Sequence, residues 1–119
     1  MRILVIDDQQ DMLNLMGAAL ADPRHEVHLE QDSRRAFTLL EDGKFDVLIV
    51  DIVMPNLGGI DVIKKVRSNH PDLWIVAVSG GGDSLPVNTN LKISEADGAD
   101  RILYKPFRKS ELLTAIARS

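Results

Sequence analysis

Hydrophobic residues follow two alternating patterns along this chain. Unbroken runs of mostly branched side chains, Ile3-Leu4-Val5-Ile6, Val47-Leu48-Ile49-Val50 and Trp74-Ile75-Val76-Ala77-Val78, have the length and character of strands buried on both faces. Between and beyond them, apolar residues recur at helical intervals: Leu13, Met16 and Leu20; Ala36, Leu39 and Leu40; Ile60, Ile63 and Val66; and Leu112, Leu113 and Ile116. Strict alternation through Glu26-Val27-His28-Leu29-Glu30 predicts an edge strand with one face buried and the other partly wet. Ile102-Leu103-Tyr104 predicts a short last strand, and residues 91–97 a further helix.

Punctuation agrees with this division. Asp22-Pro23, Asp42-Gly43 and His70-Pro71-Asp72 stop helices, and Asp32 or Ser33 can cap the second one. Gly17, inside the first helix, either costs about 1 kcal/mol relative to Ala or permits a close packing contact. Lys64, Lys65 and Arg67 read as a solvated helix face, and His25, His28 and His70, without ligand spacing, as surface histidines. Met12, Met16 and Met54 fit gap-filling or loop-shaping roles. Five strands alternating with five helices imply right-handed crossovers and a parallel sheet covered on both faces. The expected fold is therefore α/β: a single doubly wound (βα)5 domain over residues 1–119, with a five-stranded parallel sheet.

Composition narrows the function. A 119-residue chain with 45% hydrophobic and 27% charged residues fits one globular core. Its formal charge of -4 argues against direct nucleic acid binding, and the absence of cysteine removes thiolate metal sites and thiol catalysis. No apolar run reaches membrane-spanning length and no cleavable leader is visible, so the expected setting is cytoplasmic.

In a parallel sheet every strand finishes at the same edge, where ligands bind. Asp7 and Asp8 follow the first strand, Asp51 the third, Ser79 the fourth and Lys105 the fifth. Taken singly, Asp7-Asp8 could cap a helix, Ser79 could serve a turn and Lys105 could be solvated; together they make a constellation. Three crowded carboxylates must raise a pKa or hold a cation, and oxygen ligands favour magnesium, with manganese as its substitute, over calcium. Lys105 supplies a compact positive charge, while the Ser79 hydroxyl and the following glycine amides can donate to phosphoryl oxygens. Asp51, centred among them, is the candidate nucleophile, giving an acyl phosphate.

Asp7-Asp8, Asp51-Ile52-Val53-Met54-Pro55 with Gly59, Ser79-Gly80 and Lys105-Pro106-Phe107 make the chain resemble, nearly end to end, a response-regulator receiver domain of two-component signalling. The resemblance implies the flavodoxin-like strand order 2-1-3-4-5 and transfer of a phosphoryl group to Asp51 from a sensor histidine kinase or histidine phosphotransfer protein. It also implies magnesium bound by Asp8, Asp51 and the Val53 carbonyl, with Asp7 acting mainly through water. Ser79 and Lys105 would contact the phosphoryl oxygens, and the peptide before Pro106 would be cis. The output would be a changed protein-binding surface rather than turnover, directed at a downstream protein or effector domain. No effector sequence follows residue 119, so the chain reads as a stand-alone or excised receiver. The surface of the fourth helix, last strand and fifth helix is the family's usual relay, for partner docking or homodimerisation.

Departures qualify the match. Where receivers commonly carry Tyr or Phe as the partner of the Ser79 switch position, this chain has Ile102, and Tyr104 should point to the opposite face. A phosphorylation-independent interaction module is therefore the main alternative. A haloacid-dehalogenase-type phosphatase is the other, disfavoured because Val53 stands where its second Asp belongs. Residues 80–90 could form a lid or present Leu85 and Val87 to a partner. Val53 offers no base or amide to position water, which predicts slow self-dephosphorylation; a phospho-form lifetime of only seconds, followed by loss of label, would contradict it.

Overall fold

The structure, a computed structural model, describes residues 1–52, 58–79 and 98–118. The expected turn after Ile52, the loop after Ser79, the helix over 91–97 and the Val53 carbonyl lie outside the described residues. Strands β1 (Arg2–Ile6), β2 (Glu26–Glu30), β3 (Val47–Asp51), β4 (Trp74–Ser79) and β5 (Arg101–Tyr104) form one parallel sheet in the order β2-β1-β3-β4-β5. Helices α1 (Gln10–Leu20), α2 (Ala36–Asp42), α3 (Gly59–Asn69) and α4 (Lys109–Ile116) are the described helical connections and end. A single 3-10 turn, Ser33–Arg35, leads into α2, with the Asp32 carboxylate accepting the Arg34 N–H at 3.0 Å.

The unbroken apolar runs are explained by two cores, one on each face of the sheet. Ile3, Val5, Val47, Ile49, Val76 and Val78 pack with Leu13, Met16 and Leu20 of α1 and Leu112, Ala115 and Ile116 of α4. Their neighbours Leu4, Ile6, Leu48, Val50, Ile75 and Ala77 pack with Ala36 and Leu40 of α2 and Val62, Ile63 and Val66 of α3. Every residue of β3 and β4 is buried. Each fully buried branched side chain contributes about 2 kcal/mol, and a one-residue slip would exchange the two faces, so these strands have a firmly fixed register.

The structure corrects several readings of single residues. At the exposed side of the sheet, β2 buries its inner face incompletely: Leu29 is 36% exposed and lies over α1, where a Cβ on Gly17 would stand 3.1 Å from its Cδ1. Gly17 thus permits a close contact. Leu113 is also exposed, because one residue past Leu112 turns it about 100° from the core, and Ala115 takes the inward place. His25 is half-buried and donates from Nδ1 to the Leu20 carbonyl at 2.9 Å, closing the end of α1. Lys65 stays exposed over the Phe37 ring, but Arg67 turns inward to Gly98, Asp100 and the α3–β4 loop. Trp74, at the start of β4, donates its indole N–H to the Ala115 carbonyl at 2.9 Å, with the Arg101 guanidinium 4.9 Å from its ring centre.

Gly59 opens α3 directly against the end of β3. Its N–H donates to the Ile52 carbonyl at 3.0 Å, and a Cβ there would stand 1.9 Å from the Asp51 carbonyl oxygen. Backbone cannot yield as a flexible side chain does. Gly59→Ala is expected to lose about 3 kcal/mol or more of stability in urea denaturation. Gly58→Ala, whose Cβ would meet nothing closer than 3.9 Å, should lose no more than about 1 kcal/mol.

Candidate functional site

The carboxyl ends of β1, β3, β4 and β5 bring the chemistry together. The Asp7 N–H extends the β1–β2 ladder by donating to the Glu30 carbonyl at 3.1 Å, so the Asp7 side chain enters the sheet's rim fully buried. Its Oδ1 accepts the Gln9 N–H at 2.9 Å. Asp51 ends β3, pairs with Val78 and is also buried. Asp8 is half-buried at the mouth, where the Gln9 amide reaches its Oδ2 at 3.4 Å.

Lys105 leaves β5 at the same rim. Its N–H donates to the Ser79 carbonyl at 2.8 Å, which carries the β4–β5 ladder one residue further. Its ammonium donates to Asp51 Oδ2 at 3.0 Å and to Asp7 Oδ2 at 3.3 Å. The Lys105–Pro106 peptide is cis. Ser79, fully buried at the end of β4, lies one residue beyond the partner of Asp51 in the sheet. Asp7, Asp8, Asp51, Ser79 and Lys105 thus share one rim. Ile102 pairs with Ala77 further down β5 and packs, half-buried, on the α2–α3 core, while Tyr104 is exposed. The Gln9 backbone N–H was not among the expected site groups; the only sequence sign of it is Asp7 two residues earlier, the spacing of a local turn.

Carboxylate oxygens of Asp7, Asp8 and Asp51 all lie within 4.8 Å of one another. At an effective dielectric constant of ~20, each like-charged pair at that distance repels by about 3 kcal/mol. One ammonium against three carboxylates leaves the pocket negative. An oxygen-only donor set of this charge fits a hard divalent cation such as magnesium, with Asp8 at the open side and Asp7 and Asp51 behind it.

Burial pulls the Lys105 ammonium toward deprotonation, but the charge and hydrogen bond of Asp51, then those of Asp7, outweigh it and raise its pKa above the ordinary 10.5. The folded value exceeds the unfolded one, so this stabilisation is complete below the unfolded pKa and disappears as pH rises through the folded pKa. In buffer free of divalent ions, Lys105→Met should lose on the order of 2 kcal/mol at neutral pH, less than for a sealed pair because 18% of the lysine side chain reaches solvent. Urea denaturation should show that gap holding to about pH 10 and closing only above it; a gap already closed near neutrality would contradict the pairing.

Sequence and structural comparisons agree with this geometry. The model of the response regulator receiver domain matches residues 3–117. The transcriptional regulator NtrC of Azospirillum brasilense is 33% identical over 98% of this chain, and the response regulator MprA of Mycolicibacterium vanbaalenii is 34% identical over 94% of it. The chain spans 24% of the length of the first and 47% of the second. A Burkholderia pseudomallei response regulator, solved with a phosphorylated aspartic acid, calcium ion and citrate, superposes with a TM-score of 0.84 at 26% identity, covering 98% of this chain and 66% of the other. Five parallel strands in the order 2-1-3-4-5, an acidic rim and a family match over nearly every residue lead to one assignment: this chain belongs to the response-regulator receiver domain family of two-component signalling.

Proposed function

We propose that Asp51 accepts a phosphoryl group from the phosphohistidine of a sensor histidine kinase or a histidine phosphotransfer protein, and that the phosphorylated chain acts as a switch for a protein-binding surface. The observation that carries this reading is the Lys105 ammonium bridging buried Asp7 and Asp51 within one acidic pocket. Asp8, Asp51 and the Val53 carbonyl would hold magnesium or manganese, with Asp7 contributing through water. Such an ion supplies positive charge that offsets repulsion between the carboxylates and the incoming phosphate.

An Asp51 oxygen attacks phosphorus as the bond from phosphorus to the donor imidazole nitrogen breaks, that nitrogen keeping the electron pair. Asp51 becomes an acyl phosphate. The Lys105 ammonium, already aimed at the Asp51 carboxylate, then pairs with a phosphoryl oxygen, and the Ser79 hydroxyl donates to another. Burial of Asp7, Asp51 and Ser79 limits water around the acceptor and strengthens each of these contacts. The phosphorylated aspartic acid and the cation in the Burkholderia relative support the reading. No catalytic turnover is assigned to the chain.

We read residues 1–119 as one receiver unit acting in the cytoplasm; among the described residues no helix is long and apolar enough to cross a membrane. The output partner would be a downstream protein or effector domain, or a second copy docking through the face that includes β5 and α4. Ile102, half-buried where the family commonly places an aromatic ring, favours a second reading: an interaction module independent of phosphate.

Incubation with acetyl phosphate and magnesium, followed by intact-mass measurement, separates these cases. The expected result is a single stable phosphoryl adduct on the wild type, absent from Asp51→Asn and abolished by a chelator. Continuous phosphate release would indicate a phosphatase, and an unmodified wild type would leave the bare interaction module.

A further inference from the structure

Lys105 depends for its position on a short strand with little buried surface. Leu103 is the only buried residue in β5, whereas every residue of β3 and β4 is buried. Its four residues therefore carry a weak hydrophobic signal for register. A one-residue slip would move Lys105 by about 3.3 Å and turn its side chain to the other face of the sheet. The contacts of 3.0 and 3.3 Å to Asp51 and Asp7 would be lost.

Something other than side-chain burial holds the start of this strand. Asp100 grips Ile75 of β4 from both sides: its N–H donates to the Ile75 carbonyl, and its Oδ2 accepts the Ile75 N–H, each at 2.8 Å. The same Oδ2 accepts Arg67 Nη2 at 2.7 Å. Arg67 also donates to the Gly98 carbonyl from Nε and Nη2, at 3.1 and 2.8 Å, and from Nη1 to the Pro71 and Leu73 carbonyls, at 2.8 Å each. One guanidinium thus ties α3, the α3–β4 loop and the approach to β5. Gly98 is shaped for it, with φ of +107° and no room for a Cβ, which would stand 2.9 Å from Arg67 Cγ.

We propose that Arg67, acting through Asp100, is a positioning residue for Lys105: the clamp fixes the β4–β5 register at one end of β5 so that the ammonium arrives over Asp7 and Asp51 at the other. The functional part of this inference rests on Lys105 meeting the phosphoryl group as proposed above. The structural part does not. Lysine is no substitute at position 67, since a single ammonium cannot span carbonyls and carboxylate in a planar fork.

The test uses the whole chain and the variants Arg67→Ala, Arg67→Lys, Asp100→Asn, Lys105→Ala and the double variant Arg67→Ala/Lys105→Ala. Amide exchange of Lys105, whose N–H bonds the Ser79 carbonyl, should accelerate about tenfold in the Arg67 and Asp100 variants relative to the amides of β3. Acetyl phosphate labelling per folded molecule should slow by about tenfold in the same variants, while magnesium affinity measured by calorimetry should be no weaker than that of wild type, because the three carboxylates are untouched and a displaced ammonium no longer competes for Asp7 and Asp51. The double variant should label no more slowly than Lys105→Ala alone. Lys105 amide exchange unchanged relative to β3, rescue by Arg67→Lys, or multiplying losses in the double variant would each overturn the proposal. Should Arg67→Ala fail to fold, Asp100→Asn and Arg67→Lys carry the measurement. A wild type that takes no label removes the phosphoacceptor reading, and the exchange comparison then decides the clamp by itself.

Discussion

Mutual repulsion among Asp7, Asp8 and Asp51 is the constraint that governs this molecule. Left in water, the three carboxylates would separate; here the ends of β1 and β3 hold them within one pocket, two of them buried. Folding must supply the free energy for that crowding, and it does so through two cores of fully buried branched side chains on either face of the sheet. The pocket in turn sets what its neighbours must be. Lys105 keeps its proton there despite burial, and Gly59 lets α3 start against the Asp51 backbone.

The parallel sheet turns distant sequence into a local site. Asp7 and Lys105 lie 98 positions apart and Asp51 and Lys105 lie 54 apart, yet each pair is in hydrogen-bond contact. Bringing such positions together loses chain entropy once, when the sheet forms, and then supplies several functional groups at a single edge. Precision still differs between strands. The central ones are fixed by burial, and the last one by polar contacts at its two ends.

That difference also explains what the sequence made legible. The apolar runs of β1, β3 and β4 are local patterns, and so their existence, their parallel pairing and the gathering of Asp7, Asp51 and Ser79 at their ends, with Lys105 after the short β5, could be read directly. Strand order needed the family resemblance, since periodicity does not say which strand lies beside which. Arg67 defeated local reading because its spacing on α3 suits a solvated face; its acceptors come from the α3–β4 loop folding back on it and from Gly98 and Asp100 approaching from beyond β4. His25 was missed for a similar reason, as its acceptor is the end of a helix completed five residues earlier. Leu29 and Leu113 show the limit of hydrophobicity as a guide, since both stand where no neighbouring layer covers them fully.

The lone indole of the chain sits at the opposite rim from the acids. Trp74 opens β4 and Ser79 closes it, so about 16 Å of strand separates the ring from the pocket. Hydrogen-bonded to Ala115 and flanked by Arg101, its fluorophore senses the packing of α4 and the beginning of β5. Intrinsic emission from this protein is therefore a reporter of whole-domain melting, and spectroscopy of events at the acceptor calls for a probe introduced elsewhere.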